Sequence, residues 1–184
     1  LQDSLQLTAG KITSTAGTFT FTKGGSTGTN ATIDITGTKL KLKKDLSAQN
    51  GILTTNNSSV LHLEDDLTVT YNGEKTFKAL ELNGKILTLG SASTDLNVLD
   101  AFTLSSNTLK TGDADLSASV TLNTNSLIDS TGGTLKINGT VDSSSEIKIP
   151  GTGLALNDDL AVAGTLTTGA STTINRNNNK LELS

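Results

Sequence analysis

His62 is the only histidine in a 184-residue chain without cysteine, so it is the one side chain whose unperturbed pKa lies close to neutral pH. It stands in Leu61-His62-Leu63, where apolar and polar residues alternate. In a strand that alternation turns the imidazole outward, which gives a solvated residue rather than a general base. Two adjacent acidic pairs, Asp65-Asp66 and Asp158-Asp159, are the other groups that could act on a sugar bond or hold calcium. A glycoside hydrolase needs two carboxylates facing one substrate at a set separation, whereas neighbours on a turn point apart. The Gly-Gly-x-Gly-x-Asp word of calcium-binding solenoids does not occur. Both pairs therefore read as structural turns. No catalytic or cofactor-binding set emerges, no cofactor is expected, and the chain reads as non-enzymatic.

Other chemistries are equally thin. Arg176 is the only arginine and the net charge is −4, so the guanidinium forks that read phosphate are missing and nucleic acid is not an expected partner. No stretch reaches the roughly 18 to 20 apolar residues of a spanning helix, and no basic-then-apolar signal opens the chain. Because it starts at Leu1 rather than Met, it reads as a processed or excised piece of something longer. Thr13, Thr15, Thr18, Thr20 and Thr22 make an outward threonine row like those of ice-binding solenoids, but the row does not recur at a regular spacing. Asn-x-Ser/Thr occurs at Asn30, Asn56, Asn57 and Asn138, at a frequency chance supplies in so Asn-, Ser- and Thr-rich a chain.

What the sequence does carry is a repeated word. Leu40-x-Leu42 is followed by Leu46, Leu61-x-Leu63 by Leu67, Leu135-x-Ile137 by Val141 and Leu154-x-Leu156 by Leu160, while Leu80-x-Leu82 and Leu181-x-Leu183 carry the first half. The starts are separated by roughly 19 to 21 residues or multiples of that, the length of one coil of a stacked solenoid. Two further words recur with it: Leu80-Glu-Leu82-Asn83-Gly84 matches Leu135-Lys-Ile137-Asn138-Gly139, and Glu64-Asp65-Asp66-Leu67 matches Asn157-Asp158-Asp159-Leu160.

Period-two alternation in Phe19-x-Phe21, Ile33-x-Ile35, Leu87-x-Leu89 and Val120-x-Leu122 gives strands with one buried face. Asn-Gly at 50-51, 72-73, 83-84 and 138-139 marks turns. Asn-Gly between strands also suits antiparallel hairpins, so a meander or sandwich is the rival fold. A sandwich has no reason to repeat its words at coil length. Aromatic residues make up only 3%, with Tyr71 the single tyrosine, which suits a narrow core layered with Leu, Ile and Val. The expected fold is all-β: a parallel β-solenoid with coils of about 19–21 residues, forming one elongated body over 1–184.

That fold makes checkable demands. Lys43-Lys44 should lie over Glu64-Asp65 about 4.8 Å away, and Asp45 over Asp66 should be either a like-charge contact or a weak cation site. Stacked asparagine amides should bond along the axis. Leu96-x-Val98 and Leu116 fit the period only with slippage, so loops should protrude there. A third apolar site per coil, at Ile52-Leu53, Phe77, Leu127 and Ile147, implies a roughly triangular section. About nine coils at about 4.8 Å give a rod on the order of 45 Å long. Leu1 to Leu7 reads as strand, and neither end shows a capping helix. The ends therefore read as cuts through a longer solenoid or as surfaces for end-to-end stacking.

In this pattern, running from about Ile33 to Leu183, the chain resembles the repeat regions of secreted bacterial β-helical surface proteins, the filamentous-haemagglutinin type and autotransporter passengers. The resemblance implies a right-handed parallel β-helix, export to the cell surface and an adhesive or structural role. It transfers no functional residue. Phage tail fibres show similar Gly-Thr-Leu-Thr runs. The expectation is an extracellular stalk or self-assembling filament subunit whose partners are copies of itself. An adhesin for carbohydrate or a surface receptor is the alternative, and a polysaccharide-degrading enzyme is disfavoured by one Arg and one His.

Overall fold

The computed structural model describes residues 4–91, 93–151 and 153–184; the strand expected to begin at Leu1 thus lies partly outside the described residues. Twenty-two strands and no helix occur among them. The longest sheet runs through Leu5–Thr13, Gly25–Asp34, Leu46–Ala48, Leu67–Tyr71, Ile86–Leu89, Thr108–Gly112, Leu127–Ser130, Glu146–Ile149 and Thr165–Thr168 in chain order. Each strand is one coil, giving nine coils. Neighbouring coils pair in parallel throughout. The protein is a parallel β-solenoid, and the antiparallel rival is excluded.

Two further sheets close the section. One stacks Thr18–Phe21, Lys39–Leu42, Val60–Leu63 and Ala79–Glu81. The other begins at Lys75–Phe77 and runs to Thr173–Asn175. Its strand Leu116–Asn123 pairs with both Leu96–Val98 and Phe102–Ser105, so one long strand covers what are two strands in the coil before.

Alternation sends every second side chain inward, where like positions stack into aliphatic columns. Phe19, Leu40, Leu61 and Leu80 form one column. Leu96, Leu116, Leu135, Leu154 and Ile174 form another. Leu67, Leu87, Leu109, Ile128, Ile147 and Leu166 form a third. In interior coils these residues are sealed: Leu40, Leu116, Leu135 and Ile147 are each 0% exposed.

Register departs from the sequence expectation in three places. Leu46 pairs with Val69 rather than Leu67, a step of 23 residues, because the turn before Leu67 holds the coil back while Leu40 and Leu42 still sit on Leu61 and Leu63. The middle coils, expected to slip, stack directly: Leu96 faces Leu116 and Leu116 faces Leu135. At the third apolar site Leu53, Phe77 and Ile147 point inward, but Leu127 is half-buried and Ile128 fills the core, while Ile52 is 57% exposed. Short apolar runs do not reveal which of two neighbours faces in.

The Asn-Gly steps at 50-51, 72-73 and 83-84 turn the chain without forming hairpins, whereas Asn138-Gly139, expected as a turn, lies inside the strand Thr134–Val141. Asn83 and Gly84 take φ of 53° and 76°, left-handed values that Asn and Gly tolerate, and the chain moves on to the next face. Tight turns at other corners end in a buried hydroxyl, at Thr38 and Ser59 before the four-stranded sheet and at Thr94 before the third sheet. Thr38, Ser59 and Thr94 each donate a backbone N–H three residues back and a side-chain hydroxyl to a carbonyl of the preceding coil, Ser14 O, Ile35 O and Tyr71 O, at 2.6, 2.9 and 3.0 Å.

Candidate functional site

The densest set of ionisable groups lies outside the sheet of Lys39–Leu42, Val60–Leu63 and Ala79–Glu81. Lys41, His62 and Glu81 share one outward column, which register alone dictates. Glu81 Oε2 accepts from His62 Nδ1 at 2.6 Å and from Lys39 Nζ at 2.9 Å. Glu64 takes Lys41 and, at 2.9 Å, Lys43, while Asp65 takes Lys44 at 2.6 Å. The expected crossing of Lys43-Lys44 over Glu64-Asp65 is therefore present, one lysine to one carboxylate. The Lys41 and Lys43 ammonium groups hold the Glu64 carboxyl at about 2, and the His62 ring, followed by Lys39, holds Glu81 below the usual carboxylate range.

A His–carboxylate pair at this distance could in principle orient an imidazole for base catalysis. The ring's other nitrogen meets Asn83 Nδ2 at 3.3 Å and Glu64 Oε1 at 4.0 Å. No hydroxyl among the described residues is bonded to it. The histidine is thus pinned between two carboxylates within a stripe in which each of these lysines is ion-paired.

The acidic pairs have a different job. Asp65 Oδ1 accepts the N–H of Asp66 at 3.0 Å, and Asp158 Oδ1 accepts that of Asp159 at 2.8 Å. In both pairs the second aspartate reaches the next coil: Asp66 Oδ1 accepts the N–H of Ile86 at 2.9 Å and Asp159 Oδ1 that of Lys180 at 2.7 Å. The repeated word makes the same pair of bonds at two different places: Asp66 precedes Leu67 at the start of a strand of the longest sheet, whereas Asp158-Asp159, expected as a turn, lie within the strand Gly153–Val162. Asp45, expected to confront Asp66, instead accepts the N–H of Thr68 at 2.7 Å. Both carboxylates of the suggested cation site are thus committed to backbone donors. Among the described residues no group of three or more His, Cys, Asp or Glu is placed to hold a metal ion.

Two more aspartates do the same. Asp95 Oδ1 accepts the N–H of Asp115 at 2.9 Å, and Asp115 Oδ1 that of Thr134 at 2.7 Å. Asp45, Asp66, Asp95, Asp115 and Asp159 are each followed by leucine, and these are the five Asp-Leu dipeptides of the sequence. The leucine enters the core and the aspartate beside it fastens the start of the next coil. Sequence reasoning missed this set, although the dipeptide was the available signal.

Asparagine also binds between coils, but not amide to amide as expected. Asn83 Nδ2 donates to Leu63 O at 2.9 Å, Asn157 Nδ2 to Lys136 O at 3.0 Å and Asn179 Nδ2 to Leu156 O at 3.0 Å. A backbone carbonyl at the corner is nearer than the next asparagine, whose spacing varies with coil length. The amino-terminal threonine row ends after one coil, since Thr20 lies beside Lys41, whereas Thr103, Thr121 and Thr140 do stack in register.

Among the described residues no helix is long and apolar enough to cross a membrane. No family model, curated protein or solved structure matches the chain.

Proposed function

We propose that the chain is a non-catalytic structural rod, a rigid stalk segment of an extracellular surface structure. One observation carries this reading: the polar groups that could serve chemistry are used to fasten coil to coil. Five Asp-Leu corners, three buried hydroxyl corners and the lysine–carboxylate stripe all bond between neighbouring coils. Side chains spent in this way stiffen a body whose core is already continuous. Export accords with the resemblance in repeat pattern to secreted β-helical surface proteins.

The test combines mechanics with chemistry. The purified chain is expected to withstand trypsin at 37 °C despite 14 lysine and arginine sites, to leave a panel of polysaccharides undegraded, and to bind no glycan on an array at micromolar concentration. New reducing or unsaturated sugar ends would overturn the non-catalytic reading. Micromolar glycan binding would replace the stalk with an adhesin.

A further inference from the structure

The Asn-Gly steps at 50-51, 72-73, 83-84 and 138-139 stand in different surroundings. In such a step the amide nitrogen of the glycine lies close to the asparagine side chain and no glycine side chain hinders its attack there. Asn138-Gly139 is held in a strand ladder, and a side chain on Gly139 would strike the carbonyl oxygen of Val120. Gly51 is pressed in the same way against Thr27 Oγ1 and Ala31 O. Asn83-Gly84 lies in a turn closed by Lys85 N–H on Leu82 O at 3.0 Å, and the Asn83 amide donates to Leu63 O at 2.9 Å. Asn72 and Gly73 are both exposed, and nothing beyond its chain neighbours lies within 4 Å of where a Gly73 side chain would start.

One further contact singles out this step. Lys75 Nζ donates to Asn72 O at 2.9 Å. That oxygen belongs to the same peptide group as the Gly73 nitrogen, so the ammonium stabilises the anion left when the Gly73 N–H loses its proton. Among the described residues no lysine donates to the matching carbonyl of Asn50, Asn83 or Asn138.

We propose that Asn72-Gly73 is a site of self-modification, where the Asn72 amide is converted through a cyclic imide to a mixture of aspartate and isoaspartate. Solvent base takes the Gly73 amide proton, the nitrogen bonds to Asn72 Cγ, and the Cγ–Nδ2 bond breaks as Nδ2 leaves with a proton from water as ammonia. Water then opens the imide at either carbonyl, so the net change is one water gained and one ammonia lost. The place of the change gives it a consequence. Asn72 Nδ2 donates to Gln49 O of the preceding coil, and a carboxylate there has no proton to donate. Nearby strands offer no substitute, because Ile52–Thr54 pairs only with the coil before it and Lys75–Phe77 only with the coil after it. The reaction thus loosens one corner of the rod with time. The inference stands on the chemistry of that corner and is independent of the stalk reading.

The purified chain is held at about pH 8.5 and 37 °C and sampled over two weeks by peptide mass spectrometry with fragmentation, which reads each asparagine separately. Conversion at Asn72 is expected to exceed that at Asn50, Asn83 and Asn138 by about tenfold or more. Asn72→Gln, whose ring would be one atom larger, is expected to abolish conversion at this position. Lys75→Met keeps an unbranched stem beside the Tyr71 ring and is expected to slow Asn72 about threefold or more, the other three asparagines serving as the internal standard. Amide exchange over residues 49–54 is expected to rise in the aged wild type and to stay constant in aged Asn72→Gln. Conversion at Asn72 no faster than at Asn83 or Asn138, a Lys75→Met rate equal to wild type, or unchanged exchange after conversion would overturn the proposal.

Discussion

Asp115 sits in a relay across three coils: its own N–H donates to Asp95 Oδ1 at 2.9 Å, and its Oδ1 accepts from Thr134 N–H at 2.7 Å. Asp115→Ala keeps the first bond, which uses the backbone, and deletes the second. Hydrogen bonds to charged acceptors contribute about 1.5–3 kcal/mol, and helix caps, the nearest analogue of a carboxylate on a backbone donor, about 0.5–2 kcal/mol. Asp115 and Thr134 are only half-buried, so water recovers part of the loss. The expected destabilisation is about 1–2 kcal/mol, or roughly 2–8 °C in Tm for a domain of this size. Asp115→Asn keeps an oxygen acceptor in the same place and should recover more than half of the loss. Because each coil touches only its neighbours, the local readout is sharper than the global one. Amide exchange at Thr134 should accelerate roughly tenfold in the alanine variant, the equivalent of about 1.4 kcal/mol. An unchanged Thr134 amide, or an Asn variant as impaired as the Ala variant, would refute the idea that these aspartates act as acceptors between coils.

Core and corner changes should separate by position along the rod. Leu116→Ala, in the sealed column between Leu96 and Leu135, should cost about 2–5 kcal/mol by chemical denaturation, and Leu183→Ala at the open end less than about 1 kcal/mol. Gly139 has φ 119° and a Cβ there would overlap the carbonyl oxygen of Val120 in the coil before, so Gly139→Ala should cost more than about 3 kcal/mol or prevent folding, as read by circular dichroism. The Glu64 carboxyl is depressed to about 2 by Lys41 and Lys43, so its contribution is complete above the unfolded value near 4.5 and is lost as pH falls through 2. Wild type should therefore exceed Glu64→Gln in stability by a constant margin above about pH 5.5, the two converging near pH 2 in urea titrations.

The solenoid itself was legible because its determinants are local and periodic. Leu40, Leu61 and Leu80 repeat at coil length, and alternation around them states which side chains go inward. Ionic rungs followed at once, since register carries Lys43 and Lys44 to Glu64 and Asp65. What escaped depends on corners, where the chain inserts or omits residues. Leu46 missed Leu67 by two positions and Leu127 yielded to Ile128 because neither period nor hydropathy records the phase lost in a turn. The Asp45 and Asp66 carboxylates read as a like-charge contact or a cation site because equal spacing was taken to mean facing side chains. Each instead turns toward the backbone donor at the start of the following coil. A strand's first N–H points along the rod axis and has no partner within its own coil, so a short acidic side chain at the corner is the natural acceptor.

The order of these devices around the section explains why a core so poor in aromatic residues can remain ordered. Parallel pairing of similar coils leaves one freedom, sliding by two residues, that keeps every inward position inward. Leu46 on Val69 shows that such a step is accessible here. Stacked leucines cannot resist it, because a leucine meets another leucine either way. A bond from Asp66 to the N–H of Ile86, or from Thr38 to the carbonyl of Ser14, is lost on sliding, since donor and acceptor are single atoms fixed to the backbone. Corner bonds in several coils, reaching forward through carboxylates such as Asp66 and backward through hydroxyls such as Thr38, therefore set the register that the hydrophobic columns leave free. The core supplies the cohesion of the rod and the polar corners supply its uniqueness.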